Sequence, residues 1–435
     1  MKALNLTRSR QLYEEAVELM PGASQTMSKR PTAFAMGAMP IYLQRGEGCI
    51  VWDVDGNRYI DYIGALGPIT LGYRYPAVDE AVRRQLDDGM IFSMMSPVEV
   101  EAAKAVVDMV PCAEMVRFLK TGAESTAAAA RIARAYTGKE LIVSSGYHGW
   151  LDTWTAERDT NAARGVPKAY KDSIVGFSFG DTTSDKSLEA VLEKHKGKVA
   201  AIVMEAASYS TMDTGDYMKW VRELADKHGV LLVYDEIVTG FRVALGGAQE
   251  YFEVTPDIAC FAKGISNGMP VAAVAGKREI MKTTADLLIS STYGGDAVSL
   301  AAVVAALGEY RKTDYIDHIR TQGRRLVDGM NSIAKEIGLR LEFRGWPVMS
   351  SFAFGYEAAA NNDLMTLLLQ EMARRGILLR RGGLIFINYS HKAEHIDQTL
   401  AACREVFPLL LDAHDSGRVK QLLVTTEVSA GIRRF

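Results

Sequence analysis

The stretch from Val230 to Gly268 constrains this chain most. It reads V-L-L-V-Y-D-E-I-V-T-G-F-R and, after a gap, D-I-A-C-F-A-K-G-I-S-N-G. Each segment opens with a short, continuous apolar run bounded by loop-forming residues, the pattern of a strand buried on both faces. The first run delivers a carboxylate, Asp235, to its end. The second delivers a lone lysine, Lys263, 28 positions later (263 − 235). The chain must therefore build a covered sheet with an acid and an amine at strand ends.

Composition agrees with a large, well-covered core. The chain has 435 residues, of which 48% are apolar, and a net charge of −3. That length suits about two to three domains. Acids and bases are mixed along the sequence, which argues against a nucleic-acid-binding face. Cys49, Cys112, Cys260 and Cys403 are far apart, so neither a disulfide framework nor a metal site is expected, and a cytoplasmic setting fits. The first residues, M-K-A-L-N-L-T-R-S-R, lack a signal-peptide apolar core. No apolar run approaches the roughly 18 residues that span a bilayer.

Residues 7–20 read as an amphipathic helix stopped by Pro21-Gly22, and 23–48 as irregular. Asp55-Gly56-Asn57 separates C-I-V-W-D-V from R-Y-I-D-Y-I, a hairpin signal. Helices are expected at 76–90 and 98–110. From about 116, strands and helices alternate. Val116–Leu119, Leu141–Ser144, Val199–Met204, Val230–Tyr234, Ile258–Ala262 and Val271–Ala275 are the strand-type runs. Glu124–Tyr136 and 216–228 are the clearest helices between them. This predicts an α/β fold with a mostly parallel central sheet. After about 320 come a helix (315–337), strands at Leu341–Phe343, Met349–Phe354 and Leu384–Ile387, and helices at 362–375 and 394–412. These form a smaller α+β domain. The tail from Val419 is unassigned.

An acid and an amine on neighbouring strand ends suit pyridoxal phosphate (PLP). The lysine forms the Schiff base and the acid keeps the pyridine nitrogen protonated. Alone, Lys263 reads as a surface lysine. Its context, Phe-Ala-Lys-Gly-Ile-Ser-Asn-Gly, reverses this, because the glycines allow close backbone approach. Alone, Asp235 also reads as a helix cap or a magnesium ligand. Ile237 is either a ring-face contact or core. Gly122 and Ala123, in Thr121-Gly122-Ala123-Glu124-Ser125, sit at a helix start that either binds phosphate or is merely capped. Tyr147 is a candidate to stack on the ring; His148 either orients it or is an ordinary loop histidine. Glu205, at the end of the Val199–Met204 strand, is a candidate to approach the ring's phenolic edge or the incoming substrate. The Thr292 hydroxyl suits a phosphate oxygen or its own backbone. Arg30, Arg344, Arg380 and Arg381 are candidates to clamp a carboxylate, each with a plain surface alternative. Trp150 and Tyr293 are further substrate-contact candidates. Residues 151–170 are a candidate lid.

The order and wording of these segments resemble the class III (subgroup II) aminotransferases of PLP fold type I, nearest the glutamate-1-semialdehyde aminomutase branch. The likeness runs from M-P-G near the start to H-I-D-Q-T-L near the end. D-E-I-V-T-G-F-R and F-A-K-G-I-S-N-G-M-P carry most of it. It implies that Lys263 bonds the cofactor, Asp235 holds its ring nitrogen, Gly122 and Ala123 form the phosphate turn, and Tyr147 stacks. It also implies a homodimer in which Thr292 reaches the neighbouring subunit's phosphate. The domains expected are residues 1–48, packing with the C-terminal domain; 49–320, the large PLP-binding domain; and 321–435. Three residues depart from the branch. Leu66 stands where the aminomutase has tryptophan, Gly383 where it has an active-site glutamate, and Ala123 where threonine is usual. The reading is a PLP-dependent aminotransferase acting on an amino-acid-like, sugar or cyclitol carbonyl. The alternatives are an aminomutase or epimerase, and then a non-catalytic binding protein on the same fold.

Overall fold

A helix at Thr7–Leu19 precedes three strands, β1 (Leu43–Glu47), β2 (Ile50–Asp53) and β3 (Arg58–Asp61). β2 and β3 pair antiparallel across the expected Asp55-Gly56-Asn57 turn. Asp53 builds that turn: its Oδ1 accepts from the N–H groups of Asp55 (3.0 Å) and Asn57 (2.8 Å). The computed structural model of the protein describes residues 4–156 and 161–424. Four residues of the expected lid, 157–160, and the tail from 425 lie outside the described residues.

The apolar runs form one seven-stranded sheet from β4 (Met115–Leu119), β5 (Leu141–Ser145), β6 (Ile174–Gly176), β7 (Val199–Glu205), β8 (Leu231–Asp235), β9 (Ile258–Phe261) and β10 (Ala272–Gly276). Their order is β4-β10-β9-β8-β7-β5-β6. β6, β5, β7, β8 and β9 run parallel. β10 runs antiparallel to both its neighbours. Only residues 262–271 join β9 to β10, too few for a crossover helix, so the chain turns back. The helix Gly122–Thr137 packs on β7, β9 and β10. Its buried Ala128, Ala129, Ala130 and Ala133 let it approach the sheet closely.

The last strands are β11 (Leu341–Trp346), β12 (Met349–Phe354), β13 (Ile377–Leu378) and β14 (Ile385–Phe386). β11, β12 and β14 form a small antiparallel sheet. β13 adds in parallel to β3. The chain divides into two units. Described residues 76–208 and 212–316 form one; 4–75, 209–211 and 317–424 form the other. The division at 316/317 lies close to the expected boundary. Residues 49–75 do not join the large domain as expected, because β3 finds its outer partner in β13. Among the described residues no helix is long and apolar enough to cross a membrane.

His391, in the unit of residues 4–75, 209–211 and 317–424, is fully buried and stacks on Tyr62 with ring centroids 4.7 Å apart. The Asn388 N–H donates to its Nδ1 at 3.0 Å. Burial pushes its pKa down to about 3. The unfolded chain therefore binds a proton that the folded chain refuses. Stability from this group is full above about pH 6.5 and is lost as pH falls toward 3. We expect a loss of about 2 kcal/mol between pH 7 and pH 5. Urea titrations at the two pH values check this, and His391→Gln should flatten that part of the profile.

Candidate active site

Topology gathers the candidate groups before any side chain is considered. β4, β5, β7, β8 and β9 all point the same way, so their C-terminal ends share one edge of the sheet, where open α/β folds bind ligands. Gly122 follows β4, Gly146 to Trp150 follow β5, Glu205 ends β7, Asp235 ends β8 and Lys263 follows β9. All lie in the unit of residues 76–208 and 212–316.

Thr121 caps the helix that follows β4. Its hydroxyl accepts from the Glu124 N–H at 3.2 Å, and the Glu124 carboxylate accepts in return from Thr121 N–H at 2.8 Å. Ser125 N–H is used by the Thr121 carbonyl. The cap leaves the N–H groups of Gly122 and Ala123 at the positive end of a 16-residue helix, so capping and anion binding coexist here. Gly122 packs closely on its neighbour: a Cβ there would lie 2.7 Å from Ile237 Cδ1.

The loop after β5 is wedged tightly into this corner. A Cβ on Gly146 would meet Glu205 Cγ at 2.7 Å, and one on Gly149 would meet Ala123 Cβ at 2.5 Å. Both glycines have positive φ, 116° and 118°. Gly149→Ala is thus expected to cost about 1–3 kcal/mol through backbone strain and to loosen the Tyr147–Trp150 loop. A fall in the urea midpoint relative to the parent checks it; an unchanged midpoint would contradict the packing described.

Asp235 is buried, and both of its oxygens are engaged. Oδ1 accepts from Ile237 N–H at 3.0 Å, and Oδ2 lies 2.8 Å from His148 Nδ1. β8 sits between β7 and β9, with Asp235 in register with Glu205 on one side and Cys260 on the other. Lys263, half-buried, starts a short helical turn in the left-handed region at φ 45°. That turn is held from behind: Tyr310 Oη donates to the Gly264 carbonyl at 2.5 Å.

The structure thus brings together Gly122, Ala123, His148, Glu205, Asp235 and Ile237, with Tyr147 half-buried beside them and Lys263 on the adjoining strand end. Trp150 stands apart on the surface, 71% exposed. Thr292 and Tyr293 are exposed on the turn before the helix Ala297–Lys312, with Tyr293 60% exposed. The four arginines belong to the other unit. Arg344 is exposed on β11, which leaves its surface reading standing. Arg381 is taken up by Asn362 Oδ1 at 2.7 Å and by the Thr366 hydroxyl, so its role is to tie down the helix Ala358–Arg374. Arg380 Nε donates to the Ser28 carbonyl at 2.9 Å, and Arg30 lies against Gly22. Sequence reasoning missed Thr126, whose hydroxyl donates to the His148 carbonyl at 2.6 Å, and Trp154, edge-on to the His148 ring at 5.1 Å. It also missed Tyr310. Nothing in their local sequence marks them.

The family described as Aminotransferase class-III matches residues 33–407. The chain belongs to the class-III aminotransferases. Among its relatives, this class-III aminotransferase is 35% identical over 410 residues to a 3-aminobutyryl-CoA aminotransferase of Cloacimonas acidaminovorans, covering 92% of this chain and 97% of that one. It is 36% identical over 423 residues to a glutamate-1-semialdehyde 2,1-aminomutase of Methanothrix thermoacetophila, covering 92% and 96%. Among solved structures it is similar to the FumI protein of a Sphingopyxis strain in its PLP internal aldimine form. That match has 25% identity and a TM-score of 0.87, covering 94% of this chain and 98% of that one. A transaminase with PLP bound matches at 27% identity with a TM-score of 0.84, covering 95% and 100%.

Proposed function

We propose that this protein is a PLP-dependent aminotransferase that moves an amino group from an amine donor to an aldehyde or ketone. The observation that carries the reading is the convergence of a helix start, a buried carboxylate and a strand-end lysine on one sheet edge. The residues fit the cofactor. Gly122 and Ala123 N–H would hold its phosphate, Asp235 its ring nitrogen, Tyr147 and Ile237 its two faces, and Lys263 Nζ its aldehyde carbon. Bound there, PLP supplies an electrophilic carbon for the incoming amine and a cationic ring that takes up negative charge from the substrate carbon. With its amine free, Lys263 Nζ would take the proton from the substrate carbon and return it on the far side of the substrate nitrogen, as base and then acid. Burial of Asp235 keeps water from competing for the ring nitrogen.

The test is a screen of amine donors against the PLP-loaded protein, followed by its absorbance. A suitable donor should convert the cofactor to its amine form and release one equivalent of carbonyl product without any acceptor present. Racemised or rearranged amine with no carbonyl product would instead favour the epimerase or aminomutase reading.

We also propose a homodimer, in which Thr292 serves the partner's site. Met90, Ile91, Phe92, Met94 and Met95 form an exposed apolar run, with Met94 and Met95 79% and 82% exposed. Met90 O accepts from Ala297 N–H at 2.8 Å, so this run lies beside the helix that follows the Thr292 turn. Large exposed apolar patches mark interfaces. Sedimentation should give twice 47.7 kDa, and Met94→Glu with Met95→Glu should shift the protein toward monomer. A cytoplasmic location belongs to the same proposal, and cell fractionation tests it.

A further inference from the structure

β4 is an edge strand of the large sheet, and its end leads straight into the phosphate turn. Residues 289–296 run beside it. Arg117 Nη2 donates to the Ile289 carbonyl at 2.6 Å, and a Cβ on Gly294 would lie 3.3 Å from the Phe118 carbonyl oxygen. At the far end, Lys120 Nζ donates to Asp296 Oδ2 at 2.5 Å and to Ser299 Oγ at 3.3 Å. The Lys120 and Asp296 side chains are only 19% and 12% exposed, so salt screens this ion pair less than it screens a surface pair.

Both partners have a second task. Lys120 immediately precedes Thr121, and its N–H donates at 3.0 Å to the Glu124 carboxylate that completes the helix cap. Asp296 uses its other oxygen, Oδ1, to accept from Val298 N–H at 3.1 Å and Ser299 N–H at 3.3 Å, which caps the helix Ala297–Lys312. Its own N–H closes the preceding turn on the Tyr293 carbonyl at 3.2 Å. One ion pair therefore joins the start of the phosphate-binding helix to the turn that carries Thr292. Thr292 and Tyr293 are exposed there, beside the apolar run Met90–Met95, on the face assigned above to the dimer.

We propose that Lys120 and Asp296 are positioning residues that couple the two cofactor sites of the dimer: each pair holds its own protomer's phosphate turn and also the Thr292 turn presented to the partner. This rests on the PLP and homodimer readings above. Both residues act through the backbone they hold. Loosening the pair in one protomer therefore weakens PLP binding in the other, whose own residues are untouched, and by linkage the coupling is reciprocal.

Hybrid dimers, purified through a different tag on each chain, test this. One chain carries Lys263→Ala with Asp296→Asn; the other is unaltered. Asparagine can still cap the helix but removes the charge. Only the unaltered chain can bind PLP through lysine, so the visible absorbance of lysine-bound cofactor reports its site alone. Its PLP affinity should fall roughly fivefold or more, relative to a hybrid whose first chain carries Lys263→Ala only. Lys120→Met in place of Asp296→Asn should give the same loss, and Lys120→Arg, which keeps the ion pair, should restore most of the affinity. A substitution that only disturbed its own chain would leave the unaltered site as it was. Unchanged affinity there, or equal losses with Lys120→Met and Lys120→Arg, overturns the coupling and leaves the functional reading intact. An unaltered protein that does not dimerise, or takes up no PLP, overturns it together with those readings. If the Asp296→Asn chain does not fold, the Lys120→Met hybrid decides on the same terms.

Discussion

Lys263→Ala is expected to lower kcat by about 100- to 10,000-fold from the lost proton transfer alone. The substitution is a clean one structurally. Lys263 already occupies the left-handed region, at φ 45°, and alanine inherits the same backbone strain without adding any. The turn itself is held by the Ile265 N–H to Ala262 carbonyl bond and by Tyr310 from behind. The variant should therefore keep the parent's urea midpoint while losing turnover. Single-turnover absorbance with a good donor is the measurement. A variant that retained more than about a tenth of kcat would show that another base moves the proton.

The second large effect is on folding. Glu236 → Ala should destabilise the unit of residues 76–208 and 212–316 by at least about 3 kcal/mol. The Glu236 carboxylate is fully buried and accepts from Ala248 N–H and Gln249 N–H, each at 3.0 Å, and from the Thr239 hydroxyl. Removing it strands these buried donors out of reach of water. The fit around it is close, since a Cβ on Gly247 would lie 2.7 Å from the carboxylate. Asp235 and Glu236 are thus adjacent acids with different work. One faces the ligand edge; the other closes the loop 236–249 behind it. A urea midpoint within about 1 kcal/mol of the parent would contradict this assignment.

That division of labour was not readable from the D-E pair itself. Other parts of the molecule were. Continuous apolar runs announce buried strands, and the residue that follows each run is the one delivered to the sheet edge. That is why Asp235, Glu205 and Lys263 could be named from local pattern. The helix after β4 was also legible, because Thr121 and Glu124 are spaced as a capping box. What stayed hidden depends on pairing between distant segments. His148 and Asp235 are 87 residues apart, and nothing local says that their side chains meet. That residues 49–75 join the unit of residues 317–424 depends on β3 meeting β13, a strand of two residues too short to show periodicity. Arg381 looked like a carboxylate clamp because isolated arginines all look alike until their partners are known.

The β3–β13 pairing has a consequence for how the protein is made. Ile60 pairs with Ile377, so 317 residues (377 − 60) separate them in synthesis. At about 5–20 residues per second, the first hairpin leaves the ribosome roughly 15 to 60 seconds before its outer partner exists. During that interval the unit of residues 76–208 and 212–316 is already complete and free to fold. The nascent amino-terminal strands wait with an open edge, and that edge is where a chaperone has most to protect.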